Sequence, residues 1–358
     1  MPTLESISQN VHDWLYLQFH PTLALIIEFA IIGVLIIALF SMLGLVLIMM
    51  ERKVSAWMQL RLGPNRVGPK GMFQTVADTL KLIVKEGMTP ASVDKLLFNL
   101  APFIVMIVAM VIMAPLAFSK GFQIWDINIG IFFITAVSSL SVIGILMAGW
   151  SSNNKYSLLG AMRSGAQIVS YELSAGFAIL VIVILTGDLR ITEIVNAQAN
   201  GWWIFKGHIP VWIAFVIFMI AVTAETNRAP FDLAEAESEL TGGFHTEYSG
   251  MKFALFFLAE YVNIFVVCAV GATIFLGGWM PLHFGTNTTF NMVMDYIPGI
   301  VWFFGKTFFL IFVIMWFRWT FPRLRIDQLL NLEWKYLLPI SMFNLLLVTL
   351  ISILQWHF

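Results

Sequence analysis

This sequence has almost no cysteine, little charge and no pair of histidines inside its apolar segments. The one cysteine is Cys268, whereas an iron–sulfur cluster normally needs about four thiolates and a c-type haem needs a Cys-x-x-Cys-His motif. The six histidines fall in predicted loops or at the outer ends of apolar runs, which excludes a b-type haem held by two histidines. No glycine-rich nucleotide loop is present. We therefore expect the chain to bind no redox cofactor and no metal ion of its own.

Charge is scarce throughout. Only 11% of the residues are charged and 59% are hydrophobic, whereas about 25% of a soluble domain is charged. Eight apolar runs are long enough to cross a hydrocarbon core of about 30 Å, and none alternates with period two, so they are predicted helices rather than barrel strands. The runs lie near residues 22–50, 98–118, 130–150, 164–186, 209–225, 252–277, 299–317 and 337–356. With no internal repeat, the sequence predicts one all-α integral membrane domain over residues 1–358.

The positive charges are distributed unevenly among the predicted loops. Sixteen of the twenty Lys and Arg residues fall at or in the loops after the first, third, fifth and seventh spans, and three fall in the other loops. The positive-inside rule places the Lys/Arg-rich loops in the cytoplasm. Both termini are therefore predicted to lie outside. The first twenty residues contain no Lys or Arg, which argues against a cleavable signal peptide.

The first cytoplasmic loop, residues 51–97, combines tight turns with an amphipathic helix. Two Gly-Pro steps fix turns rather than helix. Residues 72–86 follow with apolar residues at helical spacing and with Asp78, Lys81 and Lys85 on the opposite side. The apolar stripe consists of Phe73, Val76, Ala77, Leu80, Ile83 and Val84. We predict a helix that lies in the membrane interface; a basic surface helix bound to anionic lipid explains its lysines equally well.

Two glutamates, Glu172 and Glu260, are predicted to lie inside the membrane at similar depth. Each comes about 12 Å past the cytoplasmic end of its span, and neither has much counter-charge nearby in the sequence. Such acids cost about 2.5–3.5 kcal/mol to insert and usually mark an ion or proton pathway; the alternative is a protonated glutamate that only joins two helices. Glu28, in the outer part of the first span, has no evident partner. Since the outer halves of spans four to eight are nearly free of charge, we predict a half-channel that a proton leaves sideways into a neighbouring protein.

The most charged segment, residues 225–240, follows directly after the fifth span. It contains five carboxylates and one arginine, Arg228. A proline can start a helix here and a glycine pair can end it, which places Asp232, Glu235 and Glu239 on one helical face. Carboxylates this close cannot all ionise, so we predict that they share protons as a coupled group with Arg228 as their counter-charge. An acidic loop that docks a basic partner is the alternative.

Several of these motifs occur together and in a characteristic order. The motifs are Glu51-Arg52-Lys53, the following Gln-x-Arg-x-Gly-Pro-Asn-x-x-Gly-Pro run, Tyr171-Glu172-Leu173, Glu225-Thr-Asn-Arg-x-Pro-Phe-Asp and Phe256-x-x-Ala-Glu260-Tyr261. Over essentially its whole length the chain resembles the H-type membrane component, called subunit 1 in mitochondria, of the proton-pumping NADH:quinone oxidoreductase, respiratory complex I. No motif covers the first twenty residues, Glu28 or the loops around residues 187–208 and 277–298.

The resemblance implies a membrane component that forms a quinone tunnel, couples quinone reduction to proton movement and joins the peripheral arm to the membrane arm. It implies that the tunnel and its approach are lined by Glu51, Arg52, Arg61, Asp78, Lys81 and Lys85. It implies that the proton-coupling path consists of Glu172, Glu225, Arg228, Asp232, Glu235, Glu237 and Glu260. The implied partners are other complex I subunits, which carry FMN and iron–sulfur clusters, and the implied location is the bacterial inner membrane.

Three other functions have to be compared with this one. The membrane anchor of a membrane-bound hydrogenase or formate hydrogenlyase has the same fold and no quinone substrate, but the full Glu-Thr-Asn-Arg-x-Pro-Phe-Asp block and the intact Gly-Pro loop favour the quinone enzyme. A proton-coupled secondary transporter usually shows two related halves, and spans five to eight do not repeat spans one to four. A passive scaffold explains the hydrophobicity but not two glutamates at matched depth.

Overall fold

Eight helical segments of this chain are long and apolar enough to cross a membrane. The computed structural model describes residues 4–234, 241–283 and 288–354, and within these ranges the only sheet is a two-stranded hairpin. The prediction of an all-α integral membrane protein with eight spans is therefore confirmed. An even number of spans is consistent with the start of α2 and the end of the eighth span on the same side of a membrane.

The described residues contain fifteen α-helices. In chain order they are α1 (Leu4–Gln18), α2 (Pro21–Met58), α3 (Gln74–Val84), α4 (Lys95–Ile112), α5 (Gly130–Ser138), α6 (Leu140–Ser151), α7 (Lys155–Thr186), α8 (Ile191–Asn196), α9 (Trp203–Lys206), α10 (His208–Glu225), α11 (Gly250–Phe275), α12 (Thr288–Asp295), α13 (Gly299–Thr320), α14 (Ile326–Leu332) and α15 (Leu338–Ile353). A π-helical turn, Glu333–Leu337, joins the last two helices. The eight spans are α2, α4, α5 with α6, α7, α10, α11, α13, and α14 with α15.

The second span is shorter than predicted. Helix α4 ends at Ile112 rather than at residue 118, because Pro115 has no N–H for a further helical hydrogen bond. The chain turns instead into strands β1 (Ala117–Ser119) and β2 (Phe122–Gln123), which pair in antiparallel fashion. A stretch that is apolar enough to extend a span is thus a buried hairpin strand.

The structure supplies a partner for Glu28. Helix α1 packs against the outer part of α2, and His12 Nδ1 lies 3.2 Å from a carboxylate oxygen of Glu28. From the sequence, Glu28 could be an isolated interfacial residue or a helix-packing residue, and this contact between two helices fits the second interpretation. The sequence offered no way to foresee the pair, since its two members come from different helices.

The third span is interrupted between α5 and α6. Ser138 Oγ lies 2.8 Å and Ser139 Oγ 3.1 Å from the carbonyl oxygen of Thr135, so each hydroxyl hydrogen can be given either to this oxygen or to an acceptor on a neighbouring helix. Hydroxyls that bond to a carbonyl three or four residues earlier compete with the backbone ladder and often bend helices. The break brings both serines to the side of α7.

Helix α11 is the most enclosed span. About 67% of its most apolar stretch is buried within the chain, compared with 22% for α2 and for the eighth span. Helix α7 packs against α6, α10 and α15, so α7, α10 and α11 form the centre of the bundle. The exposed apolar sides of α2 and α15 are surfaces for lipid or for other proteins.

The segment after α10 departs from the predicted helix. Residues 229–234 form turns, so no helix begins at Pro230. Gln167 Nε2 of α7 donates to the carbonyl oxygen of Phe231 over 2.8 Å, which fixes this segment to α7. Glu235 and Glu239 of the predicted cluster, and Glu237 between them, lie outside the described residues.

Candidate functional site

A cavity of about 680 Å³ lies between the end of α2, the first loop and the end of α13; we name it the Arg52 cavity. Its walls include four of the six predicted tunnel residues. The lining residues that carry polar groups or rings are Glu51, Arg52, Ser55, Arg61, Gln74, Asp78, Tyr261, Arg318 and Trp319. Helix α2 contributes the first three because it stays helical to Met58, well beyond the predicted end of the first span.

Asp78 of α3 connects this helix to α2. Its carboxylate accepts a short hydrogen bond from Arg52, and Lys81 Nζ lies 3.7 Å from its other oxygen. Burial disfavours the charged form of Asp78, but the hydrogen bond and charge of Arg52, with smaller contributions from Gln74 and Lys81, outweigh burial and hold the pKa of Asp78 below its usual value. Asp78 is therefore a carboxylate at neutral pH, and the cavity wall carries an ion pair.

The first loop folds back onto α2 through Lys53. Its Nζ donates to the carbonyl oxygens of Pro64 over 2.6 Å and of Lys70 over 2.8 Å. Gly71 has a φ of +77°, and a β-carbon there would lie 2.1 Å from the Pro64 oxygen, so only glycine fits. The Gly-Pro turns predicted from the sequence thus bring Arg61 to the cavity.

Helix α3 lies close to the predicted range of residues 72–86. Its apolar stripe faces outward, with Phe73 57% and Leu80 58% exposed. The side chains of Lys81 and Lys85 are also exposed, and neither lines the Arg52 cavity. An apolar face this exposed fits contact with lipid or with another protein.

Arg228 lies where the charged residues of three segments meet. Its Nη1 is 3.2 Å from Glu51 of α2, and its Nη2 is 3.2 Å from Glu260 of α11. The guanidinium carbon also lies 4.5 Å from the centre of the Tyr261 ring, within cation–π range. The sequence predicted Arg228 as the counter-charge of the acidic loop and Glu260 as nearly without one; the described ion pairs instead join Arg228 to acids of two spans. Glu51 forms a second ion pair with Arg318.

Two further cavities continue from this ion pair into the spans. The first, of about 50 Å³, is lined by Glu260, Glu225, Asn227 and Asn263; we name it the Glu260 cavity. The second, of about 320 Å³, is mainly apolar and is lined by Glu172, Glu225 and Asn263; we name it the Glu172 cavity. Glu225 and Asn263 line both, so acids from α11, α10 and α7 border two adjacent cavities.

Glu172 lies at the break in the third span. Its Oε1 lies 2.5 Å from Ser139 Oγ and 3.3 Å from Ser138 Oγ, so it accepts from whichever hydroxyl is turned away from the carbonyl oxygen of Thr135. The side chain is partly rather than fully buried within this chain. A carboxylate that faces both a cavity and two hydroxyls can take up or release a proton without loss of all its hydrogen bonds.

A short loop segment beside the acidic residues carries two groups that stay neutral. His245 lies in a 3₁₀ turn against the rings of Phe244, Phe253 and Phe257. Burial lowers its pKa to about 4 and raises the pKa of Tyr248 to about 12. Neither group is charged near pH 7, so this segment adds no positive charge next to the acids.

Two buried ionisable residues were not assigned to the site from the sequence. Lys306 Nζ donates to the carbonyl oxygens of Leu276, Gly278 and Met280 over 2.6, 2.9 and 2.6 Å. Glu333, in the π-helical turn, is fully buried. The lysine was visible as a lone charge inside an apolar run, but the glutamate was assigned to a loop because the apolar run begins only at residue 337.

The sequence is similar to named bacterial proteins over nearly its whole length. The sequence pattern of the NADH dehydrogenase family matches residues 29–349. A protein from Bacteroides fragilis, named as the H component of NADH-quinone oxidoreductase, is 59% identical over 352 residues, which are 98% of each chain. A protein of the same name from Phocaeicola vulgatus is 56% identical over 352 residues, again 98% of each chain. Another from Brevibacillus brevis is 47% identical over 335 residues, which are 94% of this chain and 96% of that protein. The family match includes every residue of the three cavities.

Proposed function

Because this chain belongs to the NADH dehydrogenase family, as the H component of NADH-quinone oxidoreductase (complex I), we propose that it forms the quinone tunnel of that complex and the first section of its proton path. The enzyme is the assembled complex, and this chain is one multi-pass membrane subunit of it. We also propose that the chain lies in the bacterial inner membrane and adjoins the subunits that carry FMN and iron–sulfur clusters.

The observation that supports this function most directly is the continuity from the Arg52 cavity to the Glu172 cavity. Arg228 joins Glu51, which lines the Arg52 cavity, to Glu260, which lines the next one. Glu225 then lines both the Glu260 cavity and the Glu172 cavity. A charge change in the first cavity can therefore affect the last one through ion pairs and shared walls, without a redox group in this chain.

The Arg52 cavity suits the polar end of a quinone path. A quinone has a long apolar tail and a polar head, so its tunnel needs an apolar route from the bilayer and polar groups at the end. The exposed stripe of α3 provides the apolar side, and Arg52, Arg61 and Asp78 provide the polar side. In this proposal α3 is the doorway for quinone from lipid.

The proposed coupling is electrostatic. Two-electron reduction makes the quinone head an anion that draws protons, and the Arg228 ion pairs lie next to the cavity where the head arrives. A unit charge that appears about 10 Å from a carboxylate changes its energy by about 1.7 kcal/mol at an effective dielectric constant of about 20. That corresponds to roughly one pKa unit, enough to shift a proton between neighbouring acids.

Purification of the assembly from its own membranes tests the assignment. We expect the chain to co-purify with flavin-containing and iron–sulfur subunits and with NADH:quinone reductase activity that a quinone-site inhibitor blocks. A purified assembly with nickel–iron hydrogenase subunits and no flavin would contradict the proposal and support the hydrogenase anchor function instead.

A further inference from the structure

We propose that Glu333 is a neutral, protonated carboxylic acid that fastens the eighth span to one polar face of α7 and so acts as a positioning residue for Glu172 on the other side of that helix. Its protonation and its contact with α7 are inferred from geometry alone. Its effect on turnover rests on the proton path proposed above.

The carboxyl group of Glu333 has no access to water and no cationic partner among the described residues. The residue is 0% exposed, and no described Lys, Arg or His forms an ion pair with it. Neither the Arg52 cavity nor the two cavities beyond it are lined by Glu333. It is therefore not a further member of the row of acids that borders those cavities.

The two carboxyl oxygens have different surroundings. Oε1 shares a short hydrogen bond with Ser174 Oγ of α7, whereas Oε2 is buried without a hydrogen-bond partner among the described residues. If the group were ionised, half of a carboxylate charge would be left unsolvated. If it is protonated, Oε1–H donates to Ser174, and Oε2 is a carbonyl oxygen, which costs far less to leave unpaired.

The energetic difference favours the neutral form. The effective cost of burying one ion in a protein is several kcal/mol, and a counter-charge must offset it. Within the described residues Glu333 has one hydroxyl partner and no counter-charge, so the ion would lack that compensation. A neutral carboxylic acid that donates a hydrogen bond needs no counter-charge.

The contact with Ser174 is part of a larger polar face on α7. Gln167, Tyr171 and Ser174 follow at intervals of four and three residues, which places them on one side of the helix. Tyr171 donates its phenolic hydrogen to the carbonyl oxygen of Leu329, 3.1 Å away and one turn before Glu333. Gln167 binds the segment after α10, so this face of α7 holds both that segment and the eighth span.

The π-helical turn places the carboxyl group where it can reach α7. Glu333 is the first residue of the turn Glu333–Leu337, and such widened turns often occur at functional sites. Glu172 lies next to Tyr171 in the chain but points to the opposite side, towards the serines of the third span. A change in the rotation of α7 that breaks the Ser174 contact would therefore also displace Glu172 from Ser138 and Ser139.

Infrared spectra of the purified complex test the protonation state. We expect the wild type to show the C=O stretching band of a buried protonated carboxylic acid that is missing in Glu333→Gln. The matched control is Asp327→Asn, which removes an exposed carboxylate of α14 and should leave the band in place. If the spectra of the wild type and of Glu333→Gln were the same in this region, Glu333 would be ionised in the wild type and the proposal would be overturned.

Activity and stability of the same variants test the positioning role. Glutamine is neutral and can donate to Ser174, so Glu333→Gln should assemble and keep quinone turnover within about twofold. Glu333→Asp withdraws the carboxyl group from Ser174 and should shorten the lifetime of the heated complex, as should Ser174→Ala to a smaller degree. If Glu333 positions Glu172, Glu333→Asp should also shift the pH profile of quinone turnover per assembled complex, whereas Glu333→Gln should keep the wild-type profile; an unshifted profile in Glu333→Asp would overturn the positioning role. An assembled Glu333→Gln complex with turnover reduced by about tenfold or more would show that Glu333 carries protons itself and would overturn the positioning role. Because the band and the thermal lifetime do not depend on turnover, failure of the proton path leaves both tests valid.

Discussion

Arg228 shows how one side chain can hold separate parts of this chain together. It lies in the segment after α10, yet it pairs with Glu51 of α2 and Glu260 of α11. All three side chains are largely buried, with exposed fractions of 10%, 8% and 19%. Removal of one partner from a buried ion pair typically costs about 3–5 kcal/mol, because the remaining charges lose their compensation.

Replacement of Arg228 by methionine should therefore affect function as well as stability. We expect Arg228→Met to lower quinone turnover per assembled complex by more than about tenfold, a larger loss than the loss of the chain from the complex. The control is Arg190→Met, which removes a half-exposed ion pair with Asp126 and should change neither quantity much. Normal turnover per assembled complex in Arg228→Met would mean that this segment is only a docking surface.

The ion pair of Asp78 allows a prediction about pH. Because the pKa of Asp78 lies below its ordinary value of 3.8, the stabilisation it gives is present above the unfolded-state pKa and is lost only as the pH falls through the folded-state pKa. Asp78→Asn should therefore raise the apparent KM for quinone by the same factor at about pH 6 and about pH 8. A factor that changes across this range would show that Asp78 titrates near neutrality.

At the level of elements, local sequence patterns were enough to predict the eight spans and α3, but not to predict where every span begins and ends. Apolar periodicity predicts α3 to within two residues at each end, because an amphipathic helix at a surface depends mainly on its own sequence. The end of α4 was misplaced because an apolar hairpin strand looks like part of a span when only hydrophobicity is considered. The start of the eighth span was misplaced because a polar helical turn looks like a loop. The pairing of Arg228 with two spans was not predictable, since sequence separation carries no information about which buried charges meet.

The doorway role of α3 can be tested with added bulk. Ala77 lies in the apolar stripe beside the exposed Val76 and Leu80, so Ala77→Trp should raise the apparent KM for long-tailed quinones far more than for short-tailed analogues. Charge reversal at Lys81 should affect both classes, because it acts through Asp78 on the polar side.

A tryptophan on an unrelated apolar surface provides the control for this experiment. Ile26 of α2 is 65% exposed, and Ile26→Trp should leave quinone kinetics unchanged. Unchanged long-tail kinetics in Ala77→Trp, or a photoreactive quinone that labels none of residues 50–86, would place the doorway elsewhere and leave α3 as a lipid-binding surface helix.

At the level of the whole molecule, the proposed proton path follows Glu260, Glu225 and Glu172, which line two cavities with shared walls. We expect Glu172→Gln to leave the complex assembled but to reduce quinone reduction and the proton gradient together, since glutamine keeps a hydrogen bond to the serines and cannot exchange a proton. Glu260→Gln should act in the same direction. The control is Glu28→Gln, whose side chain pairs with His12 outside this route. If an assembled complex with both Glu172→Gln and Glu260→Gln kept full coupled activity, these two glutamates would not carry protons and the proposed path would be wrong.

Lys306 of α13, which contacts the backbone at the end of α11, has a consequence for leakage. Lys306 Nζ lies within hydrogen-bond distance of the backbone oxygens of Leu276, Gly278 and Met280, which are three acceptors for an ammonium group at this end of α11. A fixed cation raises the energy of any second cation that approaches, and it does so most strongly where water is excluded. On the proton path proposed above, an ammonium group held at this position would oppose leakage of protons towards the opposite face of the membrane, so that a voltage across the membrane would be kept while protons leave sideways.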